Sequence, residues 1–175
     1  MKTRLIITLL ATIVAFGAVQ AQKIGYTNAE YILGLLPEAK QIEADLTAYE
    51  KQLQNQLEAK YKTMQSKIAE YQANEATYND LIKADKQNEI TGMQQSMQEF
   101  QANAEQSMIK KRNDLLAPAV EKIGNAIKEV AEANGYSHVF SAGSPGFDVL
   151  LYAREEDDVS NLVLQKLGVT PPSGN

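Results

Sequence analysis

Cysteine and tryptophan are absent from this 175-residue chain, histidine occurs once and proline five times. Without Cys there is no disulfide staple, thiolate zinc site, iron–sulfur cluster or cysteine nucleophile. A single His excludes a multi-histidine metal centre. A basic excess is lacking too: 17 Lys and Arg face 22 Asp and Glu, for a formal net charge of −5. That balance argues against nonspecific nucleic-acid binding, which needs a cationic surface to release counterions. Aromatics make up only 7% of residues, eight of them Tyr and four Phe. This is thin material for one compact core and suits an elongated helical body. The length allows one ordinary domain or two small ones.

Uncharged apolar sequence is concentrated at the start. Lys2 and Arg4 precede Leu5–Val19, which carries no charge, and Val19-Gln20-Ala21 has the small residues of a signal-peptidase site. This pattern predicts a secretory signal over residues 1–21, cleaved after Ala21. The run is short for a membrane span, which needs ~20 apolar residues; an uncleaved anchor is the alternative. No Cys follows the site, so a bacterial lipid anchor is excluded. Loss of Lys2 and Arg4 leaves 15 basic against 22 acidic residues, a net −7 for Gln22–Asn175. The expected home is the cell envelope or beyond, where ATP is lacking.

Breakers are scarce in the middle. No proline lies between Pro37 and Pro118, and Gly92 is the only glycine between Gly34 and Gly124. Pro and Gly cost ~3 and ~1 kcal/mol in a helix interior, so this scarcity is a helix signal. Ile42, Leu46, Tyr49, Leu53, Leu57, Tyr61, Met64, Ile68 and Tyr71 form one apolar stripe at helical spacing. A second stripe runs through Met93, Met97, Phe100, Ala104, Met108, Leu116, Val120, Ile123, Ile127 and Val130, with a gap at Arg112. Between them Asn74, Thr77, Asn79 and Asp80 are turn and N-cap residues. The stripes predict an antiparallel coiled-coil hairpin over residues 38–115 with its tip at about 73–79; one continuous helix is the alternative. Glu38–Ala73 and Asp80–Leu115 match in length, so the returning helix regains its starting level near Pro118, the expected joint between arm and body. Each helix would be ~54 Å long. Twelve Gln lie between Gln41 and Gln106, so dense Glu–Lys support is missing. Met and Tyr gather towards the tip, and Met suits adaptable binding surfaces.

Residues 22–37 and 116–170 predict a small α/β body. Lys23–Asn28 reads as a strand, Tyr31–Leu36 as a short helix ending at Pro37, and Ala119–Ala133 as an amphipathic helix closed by Asn134-Gly135. Tyr136–Ala142 and Phe147–Ala153 read as strands joined by a tight turn over Gly143–Gly146. Asp157 or Asp158 would cap a last helix ending at Gly168, and residues 171–175 form a frayed tail. The fold class is thus mainly α with a small β component. Three short strands make a weak core for a monomer, and oligomerisation would close their edges.

Chemical motifs are missing. There is no G-x-x-x-x-G-K-[ST], no G-x-G-x-x-G after a strand and no G-x-S-x-G. His138 has no partner for a triad. Glu155–Asp158 reads as an acidic helix start, with a cation as the alternative. Lys110-Lys111-Arg112 reads as a solvated face, with acidic clients or lipid headgroups as the alternative. No catalytic residue, cofactor or metal is expected.

Particular stretches resemble the Skp (OmpH) family of periplasmic chaperones: Lys23–Asn28 after the signal, Leu36-Pro37-Glu38, Leu115-Leu116-Ala117-Pro118, Ala126-Ile127, Val130-Ala131, Asn134-Gly135-Tyr136 and Asp158–Val163. The resemblance implies a homotrimer with a β-rich hub and three hairpin arms around a cavity. It also implies an ATP-independent periplasmic holdase of a Gram-negative bacterium that keeps unfolded outer-membrane proteins from aggregating. The hub residues would include Ile24, Tyr26, Val139, Phe140, Val149 and Leu151. Clients would meet Met64, Ile68, Tyr71, Tyr78, Leu81, Met93, Met97 and Phe100. The family's best-studied arms are basic; here residues 60–100 carry five Lys against six acidic residues. Lipid or lipopolysaccharide binding is therefore not expected, nor is nucleic acid. A structural adaptor between envelope proteins is the alternative function. A prefoldin-like cage fits less well, because its strands lie mid-sequence.

Overall fold

The computed structural model describes residues 22–143 and 150–172. The expected signal segment and the Gly143–Gly146 turn beyond Gly143 lie outside the described residues, as does Val149. The fold is mainly helical with one small sheet. In chain order it runs β1 (Lys23–Thr27), α1 (Ala29–Leu35), α2 (Pro37–Asn74), a 3-10 turn (Glu75–Thr77), α3 (Asp80–Asn134), β2 (Tyr136–Ser141), a second 3-10 turn (Glu155–Asp157) and α4 (Ser160–Lys166). The chain divides into two compact units. One is Leu33–Lys122; the other joins the residues up to Ile32 with those from Ile123 onward. Among the described residues no helix is long and apolar enough to cross a membrane.

The Leu33–Lys122 unit is a helical hairpin. Leu36 is extended, as a residue before proline must be, and Pro37 occupies the first turn of α2, where its missing N–H costs nothing. Asn74 ends that helix by donating Nδ2–H to the Glu70 carbonyl at 2.9 Å, and the Thr77 hydroxyl donates to the Asn74 carbonyl at 2.7 Å. Asn79, not Asp80, caps α3: its Oδ1 accepts the Ile82 N–H at 2.9 Å while its carbonyl accepts that of Lys83. Asp80 instead lies in the first turn, where a carboxylate favours the helix dipole.

α3 runs 55 residues with Pro118 inside it, so the helix continues through the proline instead of restarting there. Pro118 and Asp114 both lie on the exposed side. Pro118 leaves the Asp114 carbonyl without its usual N–H donor, and the helix continues past it.

In the other unit β1 and β2 pair in parallel, with Gly25 opposite Val139 and Tyr26 opposite Phe140. On its other side β1 is held by the Val159 N–H, which donates to the Tyr26 carbonyl at 2.9 Å. The Thr27 and Ser160 hydroxyls meet at 3.1 Å in the interior, and the Asn28 N–H also reaches Ser160 Oγ at 3.2 Å. Beneath lies the core: Ile32, Ile123, Ala126, Val130, Val159, Val163 and Leu164 are all buried. Ile123, Ala126 and Val130 repeat at helical spacing, one stripe of α3.

Gly135 takes φ +70° and ends α3. Gly143 takes φ +83°, a backbone that strains any residue with a Cβ, and a Cβ there would sit 2.5 Å from Asn28 Nδ2, which would have to shift.

Two expectations need correction. The described part of the third strand, residues 150–153, is not a strand: Leu151 and Tyr152 are 90% and 84% exposed, and the sheet has two strands among the described residues. A strand needs a partner ladder, and among the described residues these have none. The last helix begins at Ser160. Asp158 supports its start by accepting the Ser160 N–H at 2.8 Å, whereas Asp157 is taken by Arg154 at 3.1 Å.

Candidate functional site

The hairpin seam is held at several levels by pairs centred on the Tyr78–Asp80 turn. Nearest the turn, Lys86 contacts Glu70 at 2.9 Å, Lys67 contacts Glu89 at 3.0 Å, and the Gln87 amide donates to the Tyr71 hydroxyl at 2.9 Å. Farthest from it, Lys122 pairs with Glu38, and the Lys111 ammonium lies 5.8 Å from the centre of the Tyr49 ring. Hydrogen bonds from Lys86 and Lys122 hold the Glu70 and Glu38 carboxyls below the usual carboxylate range.

Between these levels the seam is less tightly closed. Lys60 reaches Ser96 Oγ at 3.3 Å and lies 5.6 Å from the Phe100 ring centre. Two grooves open here. A cavity of about 310 Å³ is lined by Ala59, Lys60, Thr63, Met93, Ser96 and Met97. A wider one of about 650 Å³ includes Leu53, Leu57, Phe100, Ala104, Met108 and Ile109, with Glu50, Gln54, Gln101 and Glu105 around them. Such an apolar floor with a polar rim accepts side chains of a flexible chain without demanding one geometry.

The residues expected to meet clients are spread along the seam. Met93 and Met97 line the narrower groove and Phe100 the wider one. Tyr71 and Tyr78 are half-buried with ring centres 6.4 Å apart, and Ile68 is half-buried beside the charged pairs. Leu81 is 73% exposed at the start of α3. Met64, at 8% exposure, closes the seam and leaves little surface for a ligand. Leu53, Leu57 and Ala104 were legible as stripe residues but not as a groove. The small Ala104 within an otherwise large stripe was the available signal.

The sheet offers a second surface. Ile24, Tyr26, His138 and Phe140 share one of its faces by register. Ile24 and Phe140 are 45% and 41% exposed, and the His138 ring lies 6.4 Å from that of Phe140. Val139 points to the opposite face and is half-buried; Leu151 belongs to neither strand. A pocket of about 270 Å³ beside β1 is lined by Ile24, Gly25, Tyr26, Leu150, Tyr152, Ala153, Arg154 and Asp157. Burial, and then the charges of Asp158, Glu155 and Asp157, push the Tyr26 hydroxyl pKa upward.

The other singled-out motifs are satisfied locally. Arg154 pairs with Glu156 at 2.5 Å, and among the described residues no group of three or more carboxylate or imidazole side chains is placed to hold a metal. Lys110 pairs with Asp114 at 2.6 Å, while Arg112 is exposed.

Residues 23–167 match the family model described as outer membrane protein (OmpH-like). The fold is similar to a crystal structure from Caulobacter crescentus CB15 described as an OmpH-like outer membrane chaperone. The TM-score is 0.70 at 11% identity, over 89% of this chain and 90% of that one. No curated protein matches the chain.

Proposed function

The chain belongs to the OmpH-like outer membrane protein family, and we propose that it is an ATP-independent holdase of the periplasm that keeps unfolded outer-membrane proteins from aggregating. The observation that carries this reading is the half-buried seam of the hairpin, whose grooves present Leu, Met and Phe without enclosing them. Many weak contacts to such a surface retain a client without fixing its structure. Release follows when the client folds, so no nucleotide enters the cycle and no catalytic step is assigned.

Self-association completes the reading. Three copies would meet through the α/β unit, bringing together the Ile24 and Phe140 face and the outer edge of β2, and the hairpins would surround the client. Support comes from the two-stranded sheet, whose outer edge has no partner strand among the described residues, and from the exposed apolar side chains on it. Export by the N-terminal signal belongs to the same proposal.

The test is dilution of a urea-unfolded β-barrel protein into nucleotide-free buffer, with light scattering as the readout. The purified protein suppresses aggregation of several unrelated barrels. Replacing Met93, Met97 and Tyr78 with Gln or Ser weakens suppression while the mass of the oligomer in solution stays that of a trimer. Absence of suppression with every barrel refutes the holdase, and stoichiometric binding of a single folded partner would favour the adaptor instead.

A further inference from the structure

We infer that the wider hairpin groove takes an apolar side chain flanked by lysine or arginine, so that client segments are selected by basic neighbours. This rests on the holdase reading above and adds the sign of the segments it prefers. The floor is formed by Leu53 and Leu57 of α2 and by Phe100 and Ala104 of α3. Ala104 follows Phe100 by one helical turn, and its methyl group leaves the space that a larger stripe residue would fill.

The rim supplies the charge. Glu50 and Glu105 line the groove, both are exposed, and no Lys or Arg lines it. The Gln54 amide donates to Glu50 at 3.3 Å. Among the described residues neither carboxylate has an ion-pair partner to occupy it. Residues 33–122 hold 11 basic and 14 acidic side chains, a net −3. A second copy of this acidic surface is a poor occupant for a groove edged by two carboxylates that no cation of the described residues neutralises. An unfolded segment alternating apolar and basic residues satisfies both floor and rim.

The experiment uses the purified protein and two short fluorescent peptides with the same Phe-Leu core, one flanked by lysines and one by glutamates, read by anisotropy. The lysine peptide binds about fivefold tighter at low ionic strength, the scale of two exposed ion pairs. That preference shrinks as salt rises. Glu50→Gln with Glu105→Gln abolishes it, whereas Glu99→Gln, outside the groove, leaves it intact. Ala104→Met fills the floor and weakens both peptides several-fold with helicity retained. Equal affinities for the two peptides overturn the inference. So does a preference that survives the double substitution, or an Ala104→Met variant that binds like the parent. If barrel aggregation is still suppressed in those cases, the charge selection falls and the holdase stands. If suppression fails as well, the holdase reading itself is lost.

Discussion

The two compact units solve the stability problem in opposite ways. The α/β unit closes over Ile32, Val159, Val163 and Leu164, each completely shielded from water, and ties β1 to α4 through the buried Thr27–Ser160 contact. In the hairpin, α2 spends 38 residues to bury one side chain, Met64. Its helices persist through local hydrogen bonds, a narrow seam and exposed charged pairs. A unit with a filled core resists change and has little to offer a flexible ligand. A unit with an open seam leaves its apolar groups accessible. The difference separates a unit with a filled core from one with an open seam, to which the proposed holdase role assigns the client.

The strongest way to break that contrast is to hollow the core. Ile32→Ala should cost about 3 kcal/mol, the range for truncating a fully enclosed aliphatic side chain. Ile68→Ala, half-buried in the seam, should cost under about 1.5 kcal/mol because less area leaves water on folding. Urea unfolding followed by hydrogen exchange in each unit reads both values. Similar costs would mean that the hairpin is as tightly packed as the core.

Next in size is overfilling. A Cβ on Gly25 would lie 2.9 Å from the Tyr136 ring and 3.2 Å from the Asp157 carbonyl. Gly25→Ala should therefore destabilise the α/β unit by about 1–3 kcal/mol, with hairpin exchange unchanged. A polar change follows. Thr27→Val removes a hydroxyl partner of Ser160, whose oxygen keeps the Asn28 N–H, so the loss should be about 1 kcal/mol. Thermal melts rank the two substitutions, and the reverse ranking would place the weight on the hydroxyl pair.

What the amino-acid sequence discloses about each unit follows the same division. Helical stripes are local, so Ile42–Tyr71 and Met93–Val130 announced two long helices, and Asn74–Asp80 announced the turn. The helix expected over Ala119–Ala133 is continuous with the arm helix through Pro118, because a proline's effect depends on which face it occupies, and that face is fixed only by packing. The parallel pairing of β1 with β2 joins segments more than a hundred residues apart, and no short-range pattern encodes it. The segment at 150–153 has strand-like residues, yet a strand exists only beside a partner. The grooves were hidden for a related reason. Ala104 is small within its stripe, but the space beside it appears only once the turn sets which α2 residues stand opposite.

The smallest expected effect separates the units by pH. In the hairpin, Glu70 is held below its ordinary range by the Lys86 hydrogen bond and then by the charges of Lys86 and Lys67. A carboxyl depressed on folding stabilises above its unfolded value, and that contribution is lost as pH falls through the folded one. Glu38, depressed by Lys122, behaves alike. Lys86 is raised by Glu70, so its part persists at neutral pH and is lost only as pH climbs through the raised value. Tyr26 in the α/β unit is raised chiefly by burial. Its contribution is present below the usual tyrosine range and is lost as pH climbs through the raised value. Acid should therefore loosen exchange protection around Lys67–Glu89 before it touches β1, and strong alkali should release β1. Lys86→Met should remove most of the acid sensitivity of the hairpin while leaving the alkaline response of β1 in place. Earlier acid loss in β1 than in the hairpin would show that the charged pairs contribute nothing measurable and that the seam is held by its apolar contacts alone.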